Sequence, residues 1–168
     1  MTKELELVIQ NLNEGLHKNF EKSGNIHPFF FAYTKDKNGK RTMFTCPVIN
    51  MEMRKETAFI FGKELLKMEL VSHVDAIAMV SEAWASVIEK GDPRYDNPMF
   101  VKPSEDPKRV EIAQVSVMTD SGESVFKAFE MKDKENKKKR SLVPFHEKDL
   151  QVETYLLKEF WKGYGVII

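Results

Sequence analysis

Two apolar segments joined by a long, charged, proline-broken stretch constrain the fold most strongly. The first runs over 75–88, the second over 110–118, and the joining stretch covers 91–108. Because the first segment is apolar at both odd and even positions, it is predicted to be a central strand covered on both faces. At strand rise it would span about 46 Å, so a bend or bulge is expected near Ser81 and Glu82.

A helix is the alternative interpretation of 75–88. Ile77, Val80, Trp84 and Ile88 also fit a helical stripe, and the alanines of this segment favour a helix. The strand is preferred because a second helix here would follow directly on the helix predicted before it.

The remaining segments predict helices packed on an antiparallel sheet. Apolar residues spaced by three and four mark a first helix, and Asn38-Gly39 marks a tight hairpin turn. Asn50 is the predicted cap of a second helix. The predicted elements are a helix ending at 23–24, strands over 27–33 and 41–46, a helix over 50–70, strands over 75–88, 110–118, 124–131 and 141–145, and a helix over 148–162. This order predicts a single α+β domain over 1–168, with one antiparallel-rich sheet of hairpin, long strand and meander, and three packed helices.

Charge and composition narrow the class of protein. Lys plus Arg and Asp plus Glu number 26 each, so no overall field attracts nucleic acid or anionic lipid. Cys46 is the only cysteine, which excludes an internal disulfide and a cysteine-based zinc site. The amino-terminal residues are charged and helical in period, and no apolar run reaches membrane-spanning length. A cytoplasmic protein without a membrane span is therefore expected.

No strong sequence motif for a metal, nucleotide or nucleophile is present. The chain has no phosphate-binding glycine loop, no dinucleotide fingerprint, no zinc-protease helix and no nucleophile elbow. Its four histidines, at 17, 27, 73 and 146, lack ligand spacing. We therefore predict no metal and no cofactor.

The basic run 137–140 is the one feature that could contact phosphates. The chain is neutral overall and no aromatic side chain is interleaved with the run, so a solvated hairpin tip that discourages edge pairing is preferred. Nucleic acid is an unlikely partner on this basis.

Glu82 is the sharpest candidate for a functional site. On an extended strand it shares an otherwise apolar face with Trp84, where a carboxylate is costly unless it is paired. Arg94 and Arg109 are the expected partners, because the long loop returns the chain to an adjacent strand. One interpretation is a pocket floored by Glu82 and Trp84 and roofed by the loop, with Ser104 in its lining. The alternative is a purely structural pair that anchors the loop.

The segments Ser81-Glu82-Ala83-Trp84, Pro103-Ser104-Glu105-Asp106-Pro107 and Arg109-x-Glu111 resemble a pattern of uncharacterised bacterial and phage proteins. The resemblance covers about 75–117 and implies no chemistry. It supports treating Glu82, Trp84, Ser104, Glu105, Pro107 and Arg109 as one unit.

The favoured function is a small binding or regulatory module that acts as a homodimer. The aromatic residues of the last helix, together with Phe29 and Phe31, are expected to mark an interface wherever they are exposed. The alternative is an enzyme with Glu82 as general acid or base. A weaker alternative is a nucleic-acid accessory protein that uses the basic run. An enzyme requires an open cleft at Glu82, whereas a binding module requires a filled site there and an apolar surface elsewhere.

Overall fold

The computed structural model describes residues 3–86, 105–133, 140–145 and 155–168. The helices are α1 (Lys3–Ser23), α2 (Arg54–Lys67) and α3 (Tyr155–Tyr164). The strands are β1 (Phe29–Lys35), β2 (Arg41–Pro47), β3 (His73–Ala85), β4 (Val110–Thr119), β5 (Ser124–Asp133) and β6 (Arg140–Pro144). All pairings are antiparallel, in the order β2-β1-β3-β4-β5-β6. The predicted α+β class, with one antiparallel sheet and three helices, is confirmed.

Helix α1 covers one face of the sheet. Its apolar stripe packs against alternate residues of the central strands, which produces one core of the molecule. The buried stripe consists of Leu5, Ile9, Leu12, Leu16 and Phe20. The helix ends where Gly24, at φ 72°, donates its N–H to the carbonyl of Phe20. The chain then turns toward β1 beside the end of β3.

Helices α2 and α3 cover the opposite face. Phe160 and Trp161 of α3 are fully buried in a second core with residues of β1 and β3. A Cβ added at Gly62 would lie 2.2 Å from the carbonyl oxygen of Phe160, and one at Gly163 would lie 2.1 Å from that of Phe59. The two glycines therefore let the backbones of α2 and α3 touch.

Strand β3 differs from its prediction in extent and in the place of its irregularity. It ends at Ala85, and its pairing with β4 continues through Ser81 and Glu82 without interruption. The irregularity lies instead at Asp75, an extra residue between the partners of Tyr33 and Thr34. The carboxylate of Asp75 accepts a hydrogen bond from Lys35 Nζ at 2.8 Å. The bulge thus places a charged residue directly before the apolar stretch 76–80 of β3.

Two helix boundaries also differ from prediction. Asn50 caps a single 3-10 turn, Met51–Met53, through a hydrogen bond from Glu52 N, and α2 begins only after that turn. The second helix ends at Lys67 rather than near 70. The start predicted for the last helix, near 148, lies outside the described residues.

Candidate functional site

The structure brings three of the five predicted site residues to one end of the sheet. Glu82 and Trp84 lie near the end of β3, on the face that α1 covers, and Arg109 directly precedes β4. Because Trp84 pairs with Glu111, Arg109 lies two residues along the chain from the position opposite Trp84 and can reach it diagonally. Arg94 and Ser104 lie outside the described residues.

Glu82 is held by a backbone group rather than by a cation. Its Oε1 accepts a hydrogen bond from the N–H of Ile26 at 2.6 Å, within the turn that follows α1. Within the described ranges Glu82 forms no ion pair, so the predicted pair with Arg109 is wrong. The physical reason is that the turn after α1 delivers a donor that satisfies the carboxylate, and ionised acceptors strengthen such bonds.

Arg109 instead contacts the indole of Trp84. Its guanidinium carbon lies 4.7 Å from the ring centroid, which is within the range of a cation–π interaction. The indole is 45% exposed, so the pair lies at the surface. The predicted association of Arg109 with Trp84 is therefore present, while Glu82 takes no part in it.

Asp106 builds the turn that positions Arg109. Its side chain is fully buried and accepts a hydrogen bond from Lys108 N at 2.9 Å, while its carbonyl accepts one from Arg109 N at 3.1 Å. Aspartate before proline is a strong turn signal, so the pair Asp106-Pro107 could have identified this residue. Asp106 was not among the predicted site residues.

Arg140 extends the cluster across the sheet. Its guanidinium binds the carboxylate of Glu111, the residue that pairs with Trp84 in the β3–β4 register. The guanidinium carbon also lies 5.9 Å from the ring centroid of Phe20. Arg140 was predicted to belong to a solvated basic tip, but it is half-buried and paired. The other members of that run, 137–139, lie outside the described residues.

Two surface cavities lie elsewhere on the molecule. One, of about 480 Å³, lies along α1 and is lined by residues that include His17 and Lys127. The other, of about 290 Å³, lies between α1 and the β1–β2 hairpin, and Tyr33 and Met43 belong to its lining. Neither lining includes Glu82, Trp84 or Arg109. Burial raises the pKa of Tyr33 to about 12, so its phenol is a neutral group in the second cavity.

Exposed apolar side chains concentrate in one part of the chain. Most of those in the described residues lie between the middle of β2 and the segment after α2, and they include Ile49 at 94% and Leu70 at 79% exposure. The full set in this part is Met43, Ile49, Met51, Met53, Ile60, Leu66, Met68 and Leu70. By contrast, Phe160 and Trp161, which were expected to contribute an interface, are buried within the chain. We call this exposed set the 43–70 apolar surface.

The described residues contain neither a cluster of metal ligands nor a membrane-spanning helix. In the described part of the chain no three His, Cys, Asp or Glu side chains gather as a metal site would require. No helix formed by those residues has the length and apolar character needed to cross a bilayer. Comparison with protein-family models, with curated proteins and with solved structures found no match.

Proposed function

We propose that the protein is a small binding or regulatory module that acts as a homodimer, and that it is not an enzyme acting through Glu82. The observation that carries the proposal is the 43–70 apolar surface, a set of eight exposed large apolar side chains that includes no member of the Glu82 cluster. Exposed apolar side chains in such number are typical of proteins that bury them against a partner.

The hydrogen bonding of Glu82 favours a structural role over acid or base catalysis. A general acid or base must reach a substrate proton across an open cleft. The Oε1 atom of Glu82 instead fixes the backbone of Ile26, and the two cavities lie elsewhere. This backbone contact supports a binding module over an enzyme that acts through Glu82.

Nucleic-acid binding has less support. Arg140 neutralises Glu111 on the sheet, which leaves that arginine less available for phosphate. The chain has no net charge. Filter binding over a salt series is expected to show only weak association. A sub-micromolar, salt-dependent affinity that disappears when Lys137, Lys138 and Lys139 are replaced by alanine would contradict this expectation.

Sedimentation equilibrium tests the homodimer directly. We expect a dimer at micromolar concentrations, weakened by Ile49→Ser combined with Leu70→Ser, because both side chains are exposed and their loss should not disturb the core. Ile167→Ser is the matched control, since Ile167 is fully exposed outside the 43–70 apolar surface. A monomer at high micromolar concentration, or equal effects of the control and the double variant, would refute the proposal.

A further inference from the structure

Among the residues that the structure describes, strand β2 is one edge of the sheet, and its outward-facing backbone groups can be assigned from the hairpin register. Val48 N donates to Pro28 O, and Asp36 N donates to Lys40 O. Both pairs follow the β1–β2 register, which places the even-numbered residues of β2 in hydrogen-bonded pairs with β1. The N–H and C=O groups of Met43 and Thr45 therefore point away from β1, toward the open edge.

The usual protections of an edge strand lie only at the two ends of β2, in Arg41 and Pro47. The central residues of β2, over 42–46, carry no charge, and most of the strand is exposed. Natural edge strands are commonly short, charged or interrupted by proline. Both edge strands have an arginine and a proline at their ends, but β6 has only five residues whereas β2 has seven. The β2 edge is thus the better template for an added strand.

We propose that β2 pairs antiparallel with β2 of a second copy, about a two-fold axis at Phe44. This inference rests on the proposed homodimer and names its surface. In this register Met43 of each copy faces Thr45 of the other, and their outward N–H and C=O groups form four hydrogen bonds. The two Phe44 side chains meet at a non-hydrogen-bonded position, where cross-strand side chains lie closest and aromatic pairs stabilise the sheet.

Charge and geometry favour this register over its neighbours. Arg41 lies opposite Pro47 of the second copy, so the two arginines occupy opposite ends of the paired strands. A register centred on Arg41 would instead oppose two like charges, which is destabilising. A second copy of the chain suits the edge, because inverting the strand about Phe44 places the outward N–H and C=O groups of Met43 opposite those of Thr45.

The pairing would extend one sheet through both copies. Arg41, Thr42 and Met43 line the cavity of about 290 Å³, so the added strand would reach the rim of that cavity. Ile49 would lie toward the hairpin end of the second copy. Leu70 of that second copy lies near the same hairpin turn. Two residues after it, Ser72 N donates a hydrogen bond to Lys35 O, at the end of β1, at 2.8 Å.

Disulfide trapping tests the register with a single substitution at an exposed position. In the proposed dimer Thr42 lies opposite Cys46 of the other copy, at a non-hydrogen-bonded pair with a Cα separation of about 4.5 Å, which a disulfide can bridge. Mild oxidation of Thr42→Cys should therefore give a covalent dimer that is reversed by reductant. The unchanged chain and Thr42→Cys combined with Cys46→Ser are the controls, and neither should be trapped efficiently.

Removal of one edge donor provides an independent test. Thr45→Pro deletes an N–H that faces outward, so the monomer should keep its circular dichroism while the dimer dissociation constant rises about tenfold or more. Thr45→Val, which retains the N–H, should dimerise as before. Equal dissociation constants for the two variants would overturn the inference.

The outcomes separate this inference from the proposed homodimer. A dimer in sedimentation that Thr42→Cys fails to trap would retain the homodimer and refute the β2 pairing. A monomer would refute both. A monomeric chain that binds an extended peptide, and loses it with Thr45→Pro, would show that the edge takes a foreign strand and would overturn self-pairing.

Discussion

Gly62→Ala is expected to destabilise the protein although alanine is the better helix former. In an exposed helix the exchange stabilises by about 1 kcal/mol. At Gly62 the added Cβ would meet the carbonyl oxygen of Phe160 at 2.2 Å and the amide nitrogen of Tyr164 at 2.9 Å. Both are backbone atoms, so α2 and α3 must separate. Overpacking costs about 1–3 kcal/mol, and this case belongs at the upper end, which leaves a net loss of about 1–2 kcal/mol.

Urea unfolding followed by circular dichroism measures this loss, and Gly15→Ala is its matched control. Gly15 also lies within a helix, but a Cβ there meets nothing within 4 Å. The control should therefore gain up to about 1 kcal/mol of unfolding free energy. If both variants were stabilised equally, the close approach of α2 and α3 would be refuted.

Three further predictions concern side chains near the sheet surface. Glu82→Ala should reduce the free energy of unfolding by about 1–3 kcal/mol, because it leaves the N–H of Ile26 unpaired. Glu82→Gln keeps an acceptor and should reduce it less. Equal losses of the two variants in urea unfolding would contradict this prediction. Arg109→Ala should increase acrylamide quenching of Trp84 fluorescence more than Arg109→Lys does, and unchanged quenching would count against the cation–π contact. Because the pKa of Tyr33 is raised to about 12, the unfolded state loses its proton first as pH rises above about 10, and stability should fall between those values. Tyr33→Phe should make that fall shallower in pH-dependent unfolding, and a profile identical to that of the unchanged chain would refute the assignment.

Elements with local signals could be predicted from the sequence. The α1 stripe follows from spacings of three and four, and the β1–β2 turn follows from Asn38-Gly39, whose Gly39 has φ 77°. The bulge at Asp75 could not be placed in the same way, because it is decided by how β3 aligns with β1. Register of this kind depends on residues far apart in the chain.

The candidate site shows the same contrast between features with a local sequence signal and contacts between residues far apart in the chain. The association of Arg109 with Trp84 could be predicted, because consecutive strands pair and bring the loop end back to β3. The partner of Glu82 could not, since the N–H of Ile26 is a backbone group without a side-chain signature and lies 56 residues away. The burial of Phe160 and Trp161 could not be predicted either, because the glycines that admit them, Gly62 and Gly163, only reveal their role once two helices meet.

The strand order also has a consequence for how fast the chain folds. The β1–β2 and β4–β5 pairs join neighbours in sequence and can form early, whereas β1 must find β3 across α2, with Lys35 pairing His73 and Phe29 pairing Val80. Closing that loop loses chain entropy before any contact compensates. The β1–β3 seam is therefore the expected kinetic bottleneck. Substitutions at that seam should slow refolding, because they weaken contacts that must form in the transition state.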